Sequence, residues 1–359
     1  MRVLVAMSGG VDSSVAAALV RDAGHETVGV TMKLWGGRSD TGCCSASDVD
    51  DARRVAHQLG IDHHVFNFGD EFDRHVVDPY VESWRIGVTP NPCIECNRHL
   101  KFDALVDRAD ALGFDAVATG HHARIGAGPA GAGGPVRLRR GADAAKDQSY
   151  VLYPIVDGPL DRILFPVGHL AKADVRRLAT ELGLRTASKS DSQDVCFITA
   201  ADGRASFLGD RIPLRRGAIV DTGGSVVGEV AAVELVTIGQ RKGLNLSGGA
   251  GPRFVVDVDV DAARVTVGDR SDLLRSSVEL RDVVWADDAW SRGTDDGGTA
   301  GIDVLIQSSA HGAARAATVH VTGTSARVDW HTDQPRVAPG QSVVFYDADA
   351  VLGGGLVAR

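Results

Sequence analysis

The stretch Arg2-Val3-Leu4-Val5-Ala6-Met7-Ser8-Gly9-Gly10-Val11-Asp12-Ser13-Ser14 decides the fold of this chain. Its apolar first half predicts a buried strand over residues 3–7, and a helix is predicted over residues 12–23, ending before Gly24. The glycines let the backbone approach an anion, and the following helix N-terminus supplies unpaired N–H groups and a partial positive charge. The segment therefore predicts a phosphate-binding loop at the carboxyl end of a strand.

The side chains and spacing of this loop restrict its ligand. Ser8 and Ser13 add hydroxyl donors, whereas Asp12 is an unfavourable neighbour for phosphate unless a cation lies between them, and Mg²⁺ is the natural bridge. The loop is neither a Walker A loop nor a dinucleotide fingerprint. It resembles the pyrophosphate loop of the adenine-nucleotide α-hydrolase group, which implies ATP cleavage between the α and β phosphates. The alternative is a plain tight turn between strand and helix.

Short apolar runs alternate with helical patterns through the first half of the chain. Strands are predicted over residues 27–32, 64–68 and 116–119, and helices over residues 47–59, 71–84, 97–112 and 172–182. Ser47 is the predicted N-cap of the second helix, and Gly60 is predicted to end it. This rhythm predicts an α/β fold, with an N-terminal parallel sheet covered by helices on both faces.

Strand–turn–strand patterns replace this rhythm after about residue 203, with turns at Gly223-Gly224 and Asp261-Ala262. We predict three domains: an ATP-binding domain over residues 1–203, a small β-rich central domain over residues 204–270, and a C-terminal β-barrel over residues 271–359. Residues 126–135 and 291–299 are predicted to be loops.

Composition sets limits on the function. The 359 residues suit two or three domains, and a hydrophobic content of 44% supports a packed fold. No apolar run reaches the roughly 20 residues that cross a bilayer, and no targeting segment is evident, so a cytoplasmic protein is expected. The net charge of −9 argues against general nucleic-acid binding, although a local basic surface is compatible with it.

The five cysteines are Cys43, Cys44, Cys93, Cys96 and Cys196. An odd number in a chain without secretory features argues against a structural disulfide framework and favours metal binding, redox chemistry or catalysis.

Five further motifs, in this order, restrict the function more than the loop does. Together they resemble the bacterial tRNA-specific 2-thiouridylase family, from residue 1 to about residue 346. The motifs are Thr89-Pro90-Asn91-Pro92-Cys93-Ile94-Glu95-Cys96-Asn97, Ala118-Thr119-Gly120-His121-His122-Ala123-Arg124, Lys146-Asp147-Gln148-Ser149-Tyr150, Asp191-Ser192-Gln193-Asp194-Val195-Cys196-Phe197-Ile198 and Thr237-Ile238-Gly239-Gln240-Arg241-Lys242-Gly243-Leu244.

The resemblance implies a reaction in two stages. ATP adenylates O2 of the wobble uridine, and a persulfide sulfur then replaces that oxygen with release of AMP. Cys196 matches the cysteine that carries the persulfide, and Cys96 matches the nucleophile that attacks it. That attack either frees sulfide or leaves a Cys96–Cys196 disulfide. The alternative for each cysteine is an inert buried thiol.

The resemblance also implies binding residues. The ATP site would comprise Ala6, Met7, Ser8, Gly9, Gly10, Val11, Asp12, Ser13, Met32 and Gly120. The target base and the rest of the tRNA would contact Asn91, Pro92, Cys93, His121, Lys146, Asp147, Gln148 and Gln341. Purely structural roles are also open, namely a core methionine for Met32, a buried histidine for His121, a helix start for residues 146–148 and a turn for Gln341.

The chain departs from the family pattern at three places. Cys93 replaces an aspartate that is a candidate base for the uridine N3 proton, so the identity of that base is open. A His-Gly pair expected before residue 237 is missing, and Ser308-Ser309-Ala310-His311 contains fewer cations than the family has there. No tRNA contact is therefore predicted for residues 308–311.

Different chemistries remain open from the sequence. Cys93, Cys96 and Cys196 would suit an iron–sulfur cluster with one open iron, and zinc at Cys43 and Cys44 is a further option. A different ATP pyrophosphatase, such as an amide-forming ligase, would need neither Cys96 nor Cys196. A non-enzymatic ATP- and RNA-binding module or sulfur carrier would not depend on Asp12.

The implied partners follow from the same resemblance. The substrates would be the tRNAs for Lys, Glu and Gln, and a cysteine desulfurase or a relay protein would supply sulfur. ATP and Mg²⁺ are the expected cofactors, without a resident metal site, and a monomer without membrane association is expected.

Overall fold

A computed structural model describes residues 1–35, 45–127, 135–190, 195–198, 203–244, 246, 251–287 and 301–359. Cys43, Cys44, most of the loop predicted over residues 126–135 and the loop predicted over residues 291–299 lie outside these described residues.

Strands and helices alternate in the first part of the chain. The elements are β1 (Arg2–Ala6), α1 (Val11–Asp22), β2 (Glu26–Lys33), α2 (Ala46–Leu59), β3 (Asp62–Asn67), α3 (Gly69–Phe72), a π-helical turn (Asp73–Val77), α4 (Asp78–Arg85), α5 (Pro92–Glu95), a π-helical segment (Cys96–Ala104), α6 (Leu105–Ala111), β4 (Ala116–Ala118), β5 (Ala123–Ala127), β6 (Val136–Arg140), α7 (Ser149–Leu152), β7 (Ile163–Leu164) and α8 (Lys172–Glu181). Short 3₁₀ turns cover Tyr153–Ile155 and Leu160–Arg162.

Strands predominate in the remainder. The elements are α9 (Gly203–Gly209), β8 (Gly217–Asp221), β9 (Val226–Val230), β10 (Phe254–Asp259), β11 (Arg264–Gly268), β12 (Leu274–Trp285), β13 (Ile302–Gln307), β14 (Arg315–Thr322), β15 (Ser325–Pro335), β16 (Ser342–Asp347) and β17 (Ala350–Val357), with 3₁₀ turns at Val233–Leu235 and Ser271–Leu273.

The N-terminal sheet is parallel throughout, with the strand order β3-β2-β1-β4-β7. The chain runs from β1 outward to β2 and β3, and then returns to the other side of β1 at β4. The carboxyl ends of β1 and β4 therefore form the switch point at which open α/β sheets bind their ligands.

One face of this sheet is closed by three helices. Val3 and Val5 of β1 lie in a buried apolar cluster with residues of α1, α2 and α8. Helix α1 contacts both α2 and α8, which explains why Ala16, Ala17 and Ala18 are fully buried. Helix α6 contacts β4, another strand of the same sheet. The predicted α/β class and the parallel sheet are confirmed.

The start of α2 differs from the prediction. Ser45, rather than Ser47, caps the helix, because its hydroxyl accepts a hydrogen bond from the backbone N–H of Asp48. The Ser45 hydroxyl in turn donates to the Asp48 carboxylate. Gly60 ends the helix in the left-handed conformation, as predicted.

Two compact units make up the described chain. The first comprises Met1–Val77, Pro92–Ala201 and Ala348–Val351, and the second comprises Asp78–Asn91, Asp202–Asp347 and Leu352–Arg359. The three-domain division and its boundaries stay predictions. In the first unit, β5 and β6 also form an antiparallel hairpin.

The second unit contains the two predicted β-structures. A four-stranded sheet has the order β10-β11-β8-β9, and a closed barrel has the order β12-β15-β14-β13-β16-β17, with β17 pairing back onto β12. Stacked Trp285 and Phe345 rings, 5.0 Å apart, lie in the barrel core. Within the described ranges, no helix has both the length and the hydropathy needed to cross a bilayer.

Candidate active site

The predicted phosphate loop joins β1 to α1 at the switch point. Gly9 has a φ of +73°, and a Cβ there would lie 2.3 Å from the backbone oxygen of Asp48, so only glycine fits. Gly10 is the N-cap of α1 and gives it no side-chain hydrogen bond. The first-turn amides of α1 thus keep the positive end of the helix available to an anion. This geometry fits a bound nucleotide phosphate.

The two loop hydroxyls have partners inside the loop. The Ser13 hydroxyl donates to the Gly10 carbonyl at 3.1 Å and accepts from the Ser8 backbone N–H at 3.2 Å. The hydroxyls of Ser8 and Ser13 lie 3.3 Å apart. These bonds hold the shape of the loop, and donation to a phosphate stays a prediction.

Two basic side chains of the protein lie beside Asp12, where Mg²⁺ is expected from the sequence. Lys172 Nζ contacts the two Asp12 carboxylate oxygens at 2.6 and 2.8 Å, and His122 Nε2 lies 3.2 Å from Oδ1. Burial acts to raise the pKa of Asp12, but the hydrogen bonds from His122 and Lys172 outweigh it and lower that pKa. Mg²⁺ as a further cation at Asp12 stays a prediction.

Lys189 holds the other side of the loop. Its ammonium group contacts the Gly9 carbonyl at 3.0 Å, Asp48 Oδ1 at 2.6 Å and Asp51 Oδ2 at 2.8 Å. Lys172, His122 and Lys189 were not predicted. Only Lys172 had a signal in the sequence. Lysine is electrostatically disfavoured in the first turn of a helix such as α8, so an acidic partner for Lys172 could have been expected.

Gly120 and Met32 flank the loop from neighbouring strands. A Cβ at Gly120 would lie 2.5 Å from the backbone nitrogen of Ser13, so Gly120 lets the end of β4 pack against the first turn of α1. Met32 is buried near the end of β2. Their predicted contacts with the nucleotide stay predictions.

Cys96 begins the π-helical segment and is buried. The next residue, Asn97, is also buried, and its side-chain amide donates to the Val151 carbonyl at 3.0 Å while its oxygen accepts from Lys101 Nζ at 2.9 Å. These bonds fix the helix that carries Cys96. Cys93 is exposed in the first turn of α5, which Pro92 opens.

Cys196 is half-buried in a turn that is closed by a hydrogen bond from the Ile198 N–H to the Val195 carbonyl. The neighbouring Phe197 ring is buried and packs on Phe72 and Trp35, with ring centroids 5.7 and 6.2 Å away. Phe72 belongs to α3, and α3 also contacts the segment that begins at Cys96. Helix α3 therefore contacts both the segment that begins at Cys96 and the residue that follows Cys196.

None of the described cysteines, Cys93, Cys96 and Cys196, forms a disulfide with another described cysteine. In the described part of the chain, no three His, Cys, Asp or Glu side chains are grouped to hold a metal ion. The Cys96–Cys196 disulfide belongs to a later stage of the implied reaction and stays a prediction.

The predicted tRNA contacts have different surroundings. His121 is buried between Phe102 and Phe165 and bonds Thr119 Oγ1 at 2.7 Å. Burial and the nearby Lys101 and His122 hold the pKa of His121 well below its usual value, so the ring is neutral. A contact of His121 with tRNA stays a prediction.

The residues of the segment 146–148 differ in exposure and in their side-chain hydrogen bonds. Lys146 is exposed. The Asp147 carboxylate accepts from the backbone N–H groups of Gly141 and Ser149, the Ser149 hydroxyl and Arg140 Nη1. Gln148 Oε1 accepts from the His122 backbone N–H at 2.8 Å. Asp147 thus supports the start of a helix, and tRNA contacts of this segment stay predictions.

In the second unit, the predicted tRNA contact Gln341 supports the segment that leads to Asn91. Its side-chain amide donates to the Thr89 carbonyl at 2.7 Å, and the Thr89 N–H donates to the Pro339 carbonyl at 2.9 Å. Gln341 thereby connects a barrel turn to the chain just before Asn91 and Pro92. Contacts of Asn91, Pro92, Cys93 and Gln341 with tRNA stay predictions.

A glycine-lined loop that enters an uncapped helix N-terminus at a sheet's switch point defines a nucleotide-binding α/β protein of the pyrophosphate-loop type. The chain is 47% identical to the tRNA-specific 2-thiouridylase MnmA of Mycobacteroides abscessus, covering all of both chains. It is 44% identical to the protein of that name from Roseiflexus sp., covering 100% of this chain and 99% of the relative. The chain belongs to the tRNA-specific 2-thiouridylase family.

Family profiles match successive parts of the chain. They are described as a tRNA methyl transferase HUP domain at residues 1–200, a tRNA methyl transferase PRC-barrel domain at residues 205–269 and an aminomethyltransferase beta-barrel domain at residues 276–357. Among solved structures, the U34-tRNA thiolase NcsA from Methanococcus maripaludis with its [4Fe-4S] cluster has a TM-score of 0.36 and 18% identity, covering 58% of this chain and 63% of that one. That likeness is too low to support a mechanistic comparison.

Proposed function

We propose that this enzyme forms 2-thiouridine at the wobble position of tRNA, through ATP-dependent adenylation of uridine O2 and sulfur transfer from a cysteine persulfide. The observation that carries the proposal is the 47% identity, over the whole of both chains, to a relative named as a tRNA-specific 2-thiouridylase. The phosphate loop supports the adenylation step, and the contacts of α3 with Phe197 and with the segment that begins at Cys96 support the sulfur-transfer step.

The first step makes uridine O2 a leaving group. ATP would lie with its phosphates against the loop from Ser8 to Ser13, where backbone amides and the α1 dipole stabilise negative charge. Attack of uridine O2 on the α phosphorus forms the O2–P bond and breaks the bond to pyrophosphate. Mg²⁺, when bound, would neutralise phosphate charge, and Asp12 is the carboxylate of the loop that would hold it.

The second step replaces the adenylated oxygen with sulfur. The terminal sulfur of a Cys196 persulfide attacks C2, and AMP leaves with the former O2. The Cys96 thiolate then attacks the inner sulfur, which forms the Cys96–Cys196 disulfide while the S–S bond to the product breaks. In the other route, Cys96 attacks first and liberates hydrosulfide, which attacks C2. Both routes reduce the sulfane sulfur, oxidise two thiols and require a thiol reductant for the next turnover.

The remaining parts of the proposal concern partners. A cysteine desulfurase or a relay protein supplies the persulfide, the tRNAs for Lys, Glu and Gln are the substrates, and the enzyme acts as a cytoplasmic monomer. A reducing compartment suits this chemistry, because it returns both cysteines to thiols after each turnover. Cys93, exposed in α5, is a candidate to receive the uridine N3 proton.

The experiment combines purified enzyme with ATP, Mg²⁺, unmodified tRNA and a persulfide-loaded desulfurase, followed by mass spectrometry of the nucleosides. We expect 2-thiouridine from the native enzyme and none from the Cys96→Ala and Cys196→Ala variants. Cys43→Ala removes a thiol to which the proposed reaction assigns no role, and this matched control is expected to retain sulfur transfer. Thiolation by Cys196→Ala that disappears when iron is removed would support an iron–sulfur mechanism instead.

The same assay distinguishes thiolation from three different activities. A methylated uridine would indicate the methyl transfer that the profile descriptions mention, and AMP release without tRNA would indicate an amide-forming ligase. Thiolation that survives Asp12→Ala would indicate a sulfur carrier without ATP chemistry.

A further inference from the structure

Lys189 connects the phosphate loop to the chain segment that carries Cys196. Its ammonium bonds the Gly9 carbonyl and the carboxylates of Asp48 and Asp51. Burial would lower the pKa of Lys189, but the two carboxylates outweigh it and raise that pKa, so the ammonium stays charged at neutral pH. The bond to the loop is therefore charge-assisted.

The backbone of Lys189 is tied to the same loop by a second route. Arg176 Nη1 donates to the carbonyls of Ala187 and Lys189 at 3.0 and 2.9 Å. Arg176 lies one turn after Lys172 on α8, and Lys172 bonds Asp12 in the first turn of α1. The loop thus contacts this segment directly at Gly9 and through α8 at Asp12.

A second anchor lies on the far side of Cys196. Phe197 is buried against Phe72 and Trp35, and Trp35 follows β2 of the sheet. Lys189 precedes Cys196 by only seven residues, which limits the tether between them to about 25 Å. Along the chain, Cys196 therefore lies between Lys189, which bonds the phosphate loop, and Phe197, which packs against residues next to the sheet.

We propose that Lys189 is a positioning residue that couples occupation of the phosphate loop to the placement of Cys196. A nucleotide that fixes the Gly9–Gly10 peptide also fixes the acceptor of the Lys189 ammonium, and the turn from Val195 to Ile198 becomes better ordered. Such coupling is reciprocal between the two sites. The inference rests on the proposed function, in that the loop binds ATP and Cys196 carries sulfur.

Hydrogen exchange tests this coupling without relying on catalysis. The probe is the α,β-methylene analogue of ATP with Mg²⁺, which occupies the loop without cleavage, and the readout is amide exchange in residues 195–198 by mass spectrometry. The Ile198 amide is hydrogen-bonded in the turn, so its exchange reports ordering there. In the native protein, the analogue is expected to slow this exchange about fivefold or more.

Variants at two residues separate coupling from general stabilisation. Lys189→Met is expected to bind the analogue yet lose the slowing at residues 195–198, and Lys189→Arg is expected to restore part of it. Arg185→Met is the matched control, because Arg185 bonds Asp51, one of the two carboxylates that Lys189 also bonds, at 3.0 Å. This control is expected to keep the full effect.

Calorimetry of analogue binding and thermal unfolding of each variant accompany the exchange experiment. If Lys189→Met does not fold, Lys189→Gln replaces it, because the amide can still donate to the Gly9 carbonyl but carries no charge. In this variant, the analogue is expected to slow exchange at residues 195–198 by less than half the native factor. The coupling is overturned if the analogue slows exchange at residues 195–198 equally in the native protein and in the Lys189 variants. It is also overturned if the native protein binds the analogue without any slowing. Neither result affects the outcome of the thiolation assay. Absence of analogue binding overturns both the ATP step and the coupling.

Discussion

Lys172 carries a positive charge in the first turn of α8, where the helix dipole disfavours cations. Its position is explained by a partner 160 residues away, because both carboxylate oxygens of Asp12 accept from its ammonium. The pair puts a cation beside the phosphate loop before any nucleotide is bound. Lys172 is therefore placed to act on the charge of the ligand.

Replacement of Lys172 by glutamine is expected to weaken ATP binding about tenfold or more, because a hydrogen bond to a charged group contributes about 1.5–3 kcal/mol. Adenosine binding is expected to change little, since it has no phosphates. Calorimetry with both ligands measures the difference. Arg177→Gln, which removes an exposed cation from the same helix, is the matched control. Equal losses for ATP and adenosine would contradict this role.

His63 gives the fold a dependence on pH. Its Nε2 lies 2.9 Å from Thr31 Oγ1, which donates to the Met7 carbonyl, and its buried Nδ1 has no partner among the described residues. Burial, followed by the charges of Arg53 and His64, lowers the pKa of His63 to about 4. The neutral ring is thus preferred in the folded state.

Between pH 6.5 and about pH 4, the unfolded chain binds a proton at His63 that the folded chain does not. The contribution of neutral His63 to the free energy of unfolding is therefore complete above pH 6.5 and is lost as the pH falls towards 4. Urea unfolding at pH 7 and pH 5 is expected to show a smaller loss of stability for His63→Gln than for the native protein. The exposed neighbour variant His64→Gln should keep the native loss. Identical losses of stability in all three proteins would show that His63 does not cause the pH dependence.

At the scale of secondary-structure elements, contacts between elements explain the glycines of the site. Gly120, after β4, lies against the backbone of Asp12 and Ser13, where a Cβ would approach within 2.7 and 2.5 Å. Backbone atoms cannot yield at low cost, so any side chain there displaces the first turn of α1 from β4.

Gly120→Ala is therefore expected to weaken ATP binding and lower the thermal unfolding midpoint. Gly126→Ala in β5 is the matched control, because a Cβ at Gly126 would meet nothing within 4 Å in the described structure. Calorimetry measures the ATP affinity of both variants, and thermal unfolding measures their midpoints. Native-like ATP affinity in Gly120→Ala would show that α1 and β4 need not pack this closely.

At the scale of the whole molecule, a net charge of −9 requires that tRNA binding use a local positive surface. Lys146 is an exposed cation of the predicted tRNA-contacting segment, and Asp147 is an anion whose carboxylate accepts hydrogen bonds from Ser149. The two neighbours should therefore contribute differently to binding.

Lys146→Gln is expected to weaken tRNA binding and to reduce the slope of log affinity against log salt by about one, as the loss of a phosphate contact does. Binding titrations over a range of salt concentrations measure this slope. Arg53→Gln makes the same charge change at an exposed ion pair on α2 and is expected to keep the native slope. Equal slopes in the two variants would remove Lys146 from the tRNA surface.

The sequence by itself determined the α/β class, the phosphate loop and the family. These features depend on local patterns, namely apolar strands, glycines before a helix and motifs that are contiguous in the chain. The end of α2 at Gly60 is of this kind. Its start was predicted two residues too late, because Ser45 and Ser47 are equivalent by residue type and only the hydrogen bond to Asp48 distinguishes them.

The tertiary structure alone decided which distant charges meet. Lys172 pairs with Asp12, Lys189 bonds Gly9 from 180 residues away, and α3 contacts the environments of both Cys96 and Cys196. The physical reason is that an ion pair or a packed ring depends on where folding places two elements, and the residue types within one segment carry no information about that distance.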